Sequence, residues 1–98
     1  MLNLSTFTSF QKTVTVTGTP VQLDAYPVPD GVTITVKADD RNTGIVTLGN
    51  SSANAVNTGT TPFRLTANSS ADLALKNTDA IWVDSTASGD RVNVLFEF

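Results

Sequence analysis

The chain has no histidine and no cysteine. These are the side chains that most often titrate, attack or bind zinc near neutral pH. Their absence removes most routes to hydrolytic, redox and zinc chemistry, and it excludes a disulfide-stapled fold. Glutamate occurs once and lysine three times, so the good helix formers are scarce. Basic runs are also missing: Lys12, Lys37, Lys76, Arg41, Arg64 and Arg91 are scattered along the chain. With a net charge of −3 and a pI near 4.4, the sequence lacks the basic stripe of a nucleic-acid binder. No stretch approaches the roughly 20 apolar residues of a membrane-spanning helix. The first ten residues have neither the basic start nor the continuous apolar run of a signal peptide.

What the chain has in quantity is threonine, sixteen residues, and valine, eleven. Both are β-branched and favour half-buried strands. Its 98 residues suit one small domain with a thin core.

Alternation of period two runs through the sequence. Thr13–Thr17 places Val14 and Val16 on one face, and Val32–Lys37 does the same for Val32, Ile34 and Val36. Val21–Leu23, Ile45–Leu48, Phe63–Leu65, Asp72–Lys76, Ala80–Asp84 and Arg91–Phe98 are further candidate strands. The predicted core is Val14, Val16, Ile34, Val36, Val46, Leu48, Leu73, Leu75, Ile81, Val83, Val92, Val94 and Phe96. Turn residues separate the runs at Pro27–Gly31, Asp39–Gly44, Gly49–Ser52 and Ser88–Asp90. No window reads as an amphipathic helix. The expected fold is therefore all-β: a single small β-sandwich or barrel, jelly-roll-like, of about seven or eight short strands.

Candidate chemistry is thin. Asp39–Gly44 spaces oxygens like a calcium loop but lacks the further acidic ligands and the closing bidentate carboxylate, so it reads as a turn. The eight aspartates fall almost entirely in turn segments, where short acidic side chains bond their own backbone, rather than forming a catalytic pair. No phosphate-cradling glycine loop is present. The reading is no enzyme, no cofactor and no metal.

Contact residues are better candidates. Trp82, between Ile81 and Val83, points to the face opposite theirs, and Leu95 is placed likewise between Val94 and Phe96. Each marks either an interface or a strand buried on both faces. Leu2, Leu4, Phe7 and Phe10 crowd the first ten residues without regular spacing. Residues 1–10 are thus an arm that docks on a neighbour or a first strand, and residues 11–98 form the sandwich domain. The candidate interface set is Leu2, Leu4, Phe7, Phe10, Trp82 and Leu95.

From Val28 onward the turns and strands follow a recognisable pattern. Val28-Pro29-Asp30-Gly31-Val32 leads to Asn42-Thr43-Gly44-Ile45-Val46-Thr47-Leu48-Gly49-Asn50-Ser51-Ser52, then Asn57-Thr58-Gly59 and a Leu73–Leu75 strand. Ile81-Trp82-Val83-Asp84 and Ser88-Gly89-Asp90-Arg91-Val92 close it. Over about seventy residues this resembles small virion proteins of tailed bacteriophages. The related pattern carries a Pro-Gly turn before the Leu-rich strand, where this chain has Asn68-Ser69-Ser70. The resemblance implies a capsid decoration (cement) protein on the virion, binding the major capsid protein or another virion protein and itself, commonly as a trimer. The acidic charge balance and the lack of a long apolar stretch lead to the expectation of no nucleic-acid and no membrane partner. Two alternatives stand beside the decoration protein: another virion component (tail, neck or fibre base), and a carbohydrate-binding β-sandwich stacking sugars on Trp82 or Tyr26.

Overall fold

A computed structural model describes residues 7–60 and 63–97. Eight strands form two four-stranded antiparallel sheets packed face to face as a sandwich, not a closed barrel. The strands are β1 (Phe7–Thr13), β2 (Val21–Gln22), β3 (Ile34–Ala38), β4 (Val46–Gly49), β5 (Phe63–Leu65), β6 (Ser70–Leu73), β7 (Trp82–Ser85) and β8 (Arg91–Glu97). One sheet has the order β1-β8-β3-β6 and the other β2-β7-β4-β5, the strand order of a jelly roll. Only β4 and β5 are neighbours both in sequence and in a sheet; every other connection crosses between the sheets. Among the described residues, helix is confined to α1 (Ser52–Ala55) and a 3-10 turn at Thr78–Ala80. No helix there is long and apolar enough to cross a membrane.

The core fills the space between the sheets with alternate residues of each strand. In the first sheet Phe10, Val94, Val36 and Ala71 lie in one row across all four strands. In the second, Val21, Val83, Leu48 and Phe63 do the same. Val14, Ile34, Val36, Val46, Leu48, Ile81, Val83, Val92, Val94 and Phe96 are buried, as the alternation predicts. Leu23, Val28, Ala38, Ala55 and Leu65 join them.

Three predicted core positions differ. Val16 is 55% exposed, because the Thr13–Thr17 alternation does not continue as a strand. β1 ends at Thr13, and Val14 exchanges backbone hydrogen bonds with Gly89 and Asp90. The chain then turns over Val16–Thr19, with Gly18 at φ +83°, where glycine is unstrained. Leu73 and Leu75 are half-buried at the open side of the sandwich.

The outer face of the second sheet is covered. Thr47 and Asp84 point away from the core, yet both are fully buried, because α1 and the segment after it lie against β4 and β7. Ser51 caps α1, its Oγ accepting from the Asn54 N–H at 3.2 Å. The Thr47 hydroxyl donates to the Ala55 carbonyl at 2.5 Å. Gly49 makes this close approach possible: a Cβ there would lie 2.5 Å from the Ala55 nitrogen.

Candidate interaction surfaces

Three carboxylates are buried, and all three hold backbone in place. Asp84 Oδ1 accepts from the Gly18 N–H at 3.0 Å, and its Oδ2 accepts from the Asn57 N–H at 2.7 Å and the Asn57 side-chain amide at 2.9 Å. Asp90 accepts from the N–H groups of Thr43 (3.1 Å) and Gly44 (2.9 Å) and from the Ser85 hydroxyl (2.7 Å). Asp39 receives the Arg41 backbone N–H at 2.9 Å, and Arg41 Nε and Nη2 each at 3.0 Å. Asn93 Nδ2 reaches the same carboxylate at 3.2 Å. The hydrogen bonds from the Arg41 side chain, then from its backbone N–H, hold the Asp39 carboxyl well below the usual carboxylate range, against the opposing effect of burial.

These bonds tie the β1–β2, β3–β4 and β7–β8 loops and the segment after α1 into one end of the sandwich. Their acceptor oxygens are occupied by the protein's own donors. Among the described residues no buried side-chain polar atom lacks a partner, and no three acidic side chains gather as a metal site. The Asp39–Gly44 segment is a salt-bridged turn, its Asp39 carboxylate committed to Arg41. At this end of the molecule the buried carboxylates act as joints between loops.

The same joints explain the motifs singled out in the sequence. Asn57 of Asn57-Thr58-Gly59 bonds Asp84 of Ile81-Trp82-Val83-Asp84. Thr43 and Gly44 of Asn42-Thr43-Gly44 bond Asp90 of Ser88-Gly89-Asp90. Gly44 is required because a Cβ there would sit 2.9 Å from the Ala87 nitrogen. At Asn68-Ser69-Ser70, the Ser69 N–H donates to the Thr66 carbonyl at 2.9 Å and Asn68 takes φ +72°. A positive φ at the third position of a four-residue turn suits asparagine as well as glycine.

Exposed apolar side chains mark two other surfaces. The outer face of the first sheet is largely polar: Ser9, Gln11, Thr35, Ser70 and Asn93 share it with the charged Lys37, Asp72, Arg91 and Glu97. Phe7 and Leu95 interrupt it, 64% and 43% exposed. Phe7 faces Glu97 in register and Leu95 faces Ser9, so the two apolar groups are diagonal neighbours, roughly 7–8 Å apart.

The second surface is an apolar cleft of about 390 Å³ on the side of the sandwich bounded by edge strands β5 and β6. Leu48, Phe63, Leu73, Leu75, Ala80 and Ile81 line most of it. Phe63 at its rim is 59% exposed. The opposite side, between β1 and β2, is closed. There Phe10 packs on Tyr26 with ring centroids 4.8 Å apart, and Lys12 pairs with Asp24 at 3.0 Å.

The sequence-predicted contact residues are therefore dispersed. Phe7 and Leu95 share the outer face of the first sheet, whereas Phe10 points inward, half-buried against the core and Tyr26. Trp82 is half-buried on the covered sheet. Leu2 and Leu4 lie outside the described residues. β1 runs from Phe7 to Thr13, so no structural break falls between residues 10 and 11. Tyr26, one aromatic available for sugar stacking, is engaged by Phe10. Sequence reasoning missed the cleft because its lining comes from strands distant in the chain. The exposure of Phe63 follows from its place at a sheet edge, which alternation does not encode. Compared with protein-family models, curated proteins and solved structures, the chain matches none.

Proposed function

We propose that the chain is a structural protein of a phage virion, a decoration protein that binds the outside of the head as a trimer and stabilises it. The reading is carried by the turn-and-strand pattern from Val28 to Val92 that resembles small virion proteins of tailed bacteriophages. The residues of that pattern are the joints described above, so the pattern specifies a rigid body with tied loops. A shell-bound protein has use for such a body, for apolar contact patches and for an acidic, hydroxyl-rich remainder. Many copies gain attachment strength through multivalency. Negative charge keeps the surface away from packaged nucleic acid.

The test is direct. Particles of the phage that encodes the chain are purified and imaged by cryo-electron microscopy, with mass spectrometry of their proteins. The expected result is the chain present in many copies, as density of this sandwich on the outer head surface. Its absence from particles overturns the reading; density confined to the tail or neck replaces it with another virion role.

A further inference from the structure

We infer that β1 pairs edge to edge with β1 of a second copy of this chain, antiparallel about a two-fold axis at Phe10, so that the first sheets of the two copies become one. Two contacts fix the direction of the β1 backbone groups. The Val14 N–H donates to the Asp90 carbonyl at 2.8 Å, one step beyond the Thr13–Arg91 pair. On the other side of β8, the Asp39 N–H donates to the Arg91 carbonyl at 3.1 Å, one step beyond Ala38–Val92. Along an antiparallel strand the backbone groups of successive residues point alternately to the two sides. Val92, Val94 and Phe96 therefore bond toward Lys12, Phe10 and Thr8, and Arg91, Asn93 and Leu95 toward β3. The N–H and C=O groups of Ser9, Gln11 and Thr13 face away from the sheet, and among the described residues they have no partner.

Such a row of unpaired groups is a template for another strand. The other edges are blunted by their shortness: β2 has two residues, β5 three and β6 four. β1 has seven, with neither proline nor glycine among them. Its one charge, Lys12, lies on the inward side and is held by Asp24 at 3.0 Å.

Self-complementarity selects a second copy as the occupant. The register that uses all of β1 sets Phe10 opposite Phe10 of the second copy. Outward groups then meet outward groups: Ser9 pairs with Gln11 of the second copy, and Phe7 with Thr13. Phe10 opposite Phe10 is a non-hydrogen-bonded pair, the kind in which side chains come closest, and aromatic pairs there stabilise a sheet. Phe10 is half-buried and lies 4.8 Å from Tyr26, which is still 38% exposed. The axis thus gathers the Phe10 and Tyr26 rings of both copies. Lys12 meets Thr8 of the second copy, so no like charges are opposed.

The contact is isologous, so it is not the contact of a three-fold trimer. The inference goes beyond the proposed function and is independent of attachment to a shell.

The test uses the purified chain. Sedimentation velocity is expected to give an even number of chains per particle, two where this contact acts alone. Amide hydrogen exchange followed by NMR should show Ser9, Gln11 and Thr13 protected in that particle and losing protection when it is diluted to single chains. Ser9→Pro removes an outward N–H and leaves the bonds to β8 in place, a position where an edge strand tolerates proline. The variant is expected to lose the pairing, with far-UV circular dichroism like that of the wild type. A wild type of one chain overturns the inference and self-association with it. A wild type of three chains overturns the inference and supports the trimer of the proposed function. An even-numbered particle whose Ser9, Gln11 and Thr13 amides exchange freely, or whose mass survives Ser9→Pro, overturns this contact alone. Should Ser9→Pro fail to fold, the wild-type amides decide.

Discussion

Asp84 and Asn57 are joined twice: one carboxylate oxygen receives both the Asn57 backbone N–H, at 2.7 Å, and its side-chain amide, at 2.9 Å. Asn57 in turn donates to the Ser85 carbonyl at 2.8 Å, and the other Asp84 oxygen holds the Gly18 N–H. One side chain thus fastens the segment after α1 and the β1–β2 loop to β7. Asp84→Ala leaves these donors unpaired in a buried place and should cost about 2–4 kcal/mol. Asp84→Asn keeps an acceptor and should cost less. Urea unfolding midpoints check this; an Asp84→Ala midpoint equal to wild type would show that the joint does not contribute to stability.

Ile34 and Val16 separate the observed core from the alternation that predicted both. Ile34 is fully buried between the sheets, and Ile34→Ala should cost about 2–5 kcal/mol. Val16 stands in a loop, more than half exposed, and Val16→Ala should change stability by less than about 0.5 kcal/mol. Similar losses for the two variants would put Val16 back in the core.

The Val16 case shows where the sequence stops being legible. Period two identified most strands, because in a sandwich one face of each strand is buried and the other wet. It placed ten buried residues correctly, from Val14 to Phe96. Alternation cannot show where a strand loses its partner, and β8 begins opposite Thr13, so the pairing ends there. Nor does it show what covers an outer face. Thr47 and Asp84 look like solvent-facing residues in the sequence and are buried only because α1 folds back over β4 and β7. The cleft is illegible for the same reason: Leu48, Phe63 and Leu73 meet through the crossing of the chain between sheets.

Asn68 holds φ +72° in the turn before β6. Glycine adopts this region without penalty, whereas a residue with a Cβ and no local hydrogen-bonding side chain is strained there by about 1–2 kcal/mol. Asn68→Gly should leave the thermal midpoint near wild type, and Asn68→Val should lower it. Equal midpoints for the two would mean that the turn relaxes to another geometry.

Asp39 makes the protein sensitive to acid. Its carboxyl is held well below its ordinary pKa of 3.8, first by the Arg41 side chain, then by the Arg41 N–H and by Asn93. The folded state therefore binds the proton less readily than the unfolded state does. The stability this supplies is fully present above the unfolded pKa and is lost as pH falls below it toward the folded value. Asp39→Asn removes the titration together with the ion pair. The variant should be less stable than wild type at neutral pH, and its stability should fall less between about pH 5 and about pH 2. Urea midpoints measured across that range for both proteins provide the check. Parallel acid limbs would mean that Asp39 binds its proton equally well folded and unfolded, and that the Arg41 contact seen at 3.0 Å does not persist in solution.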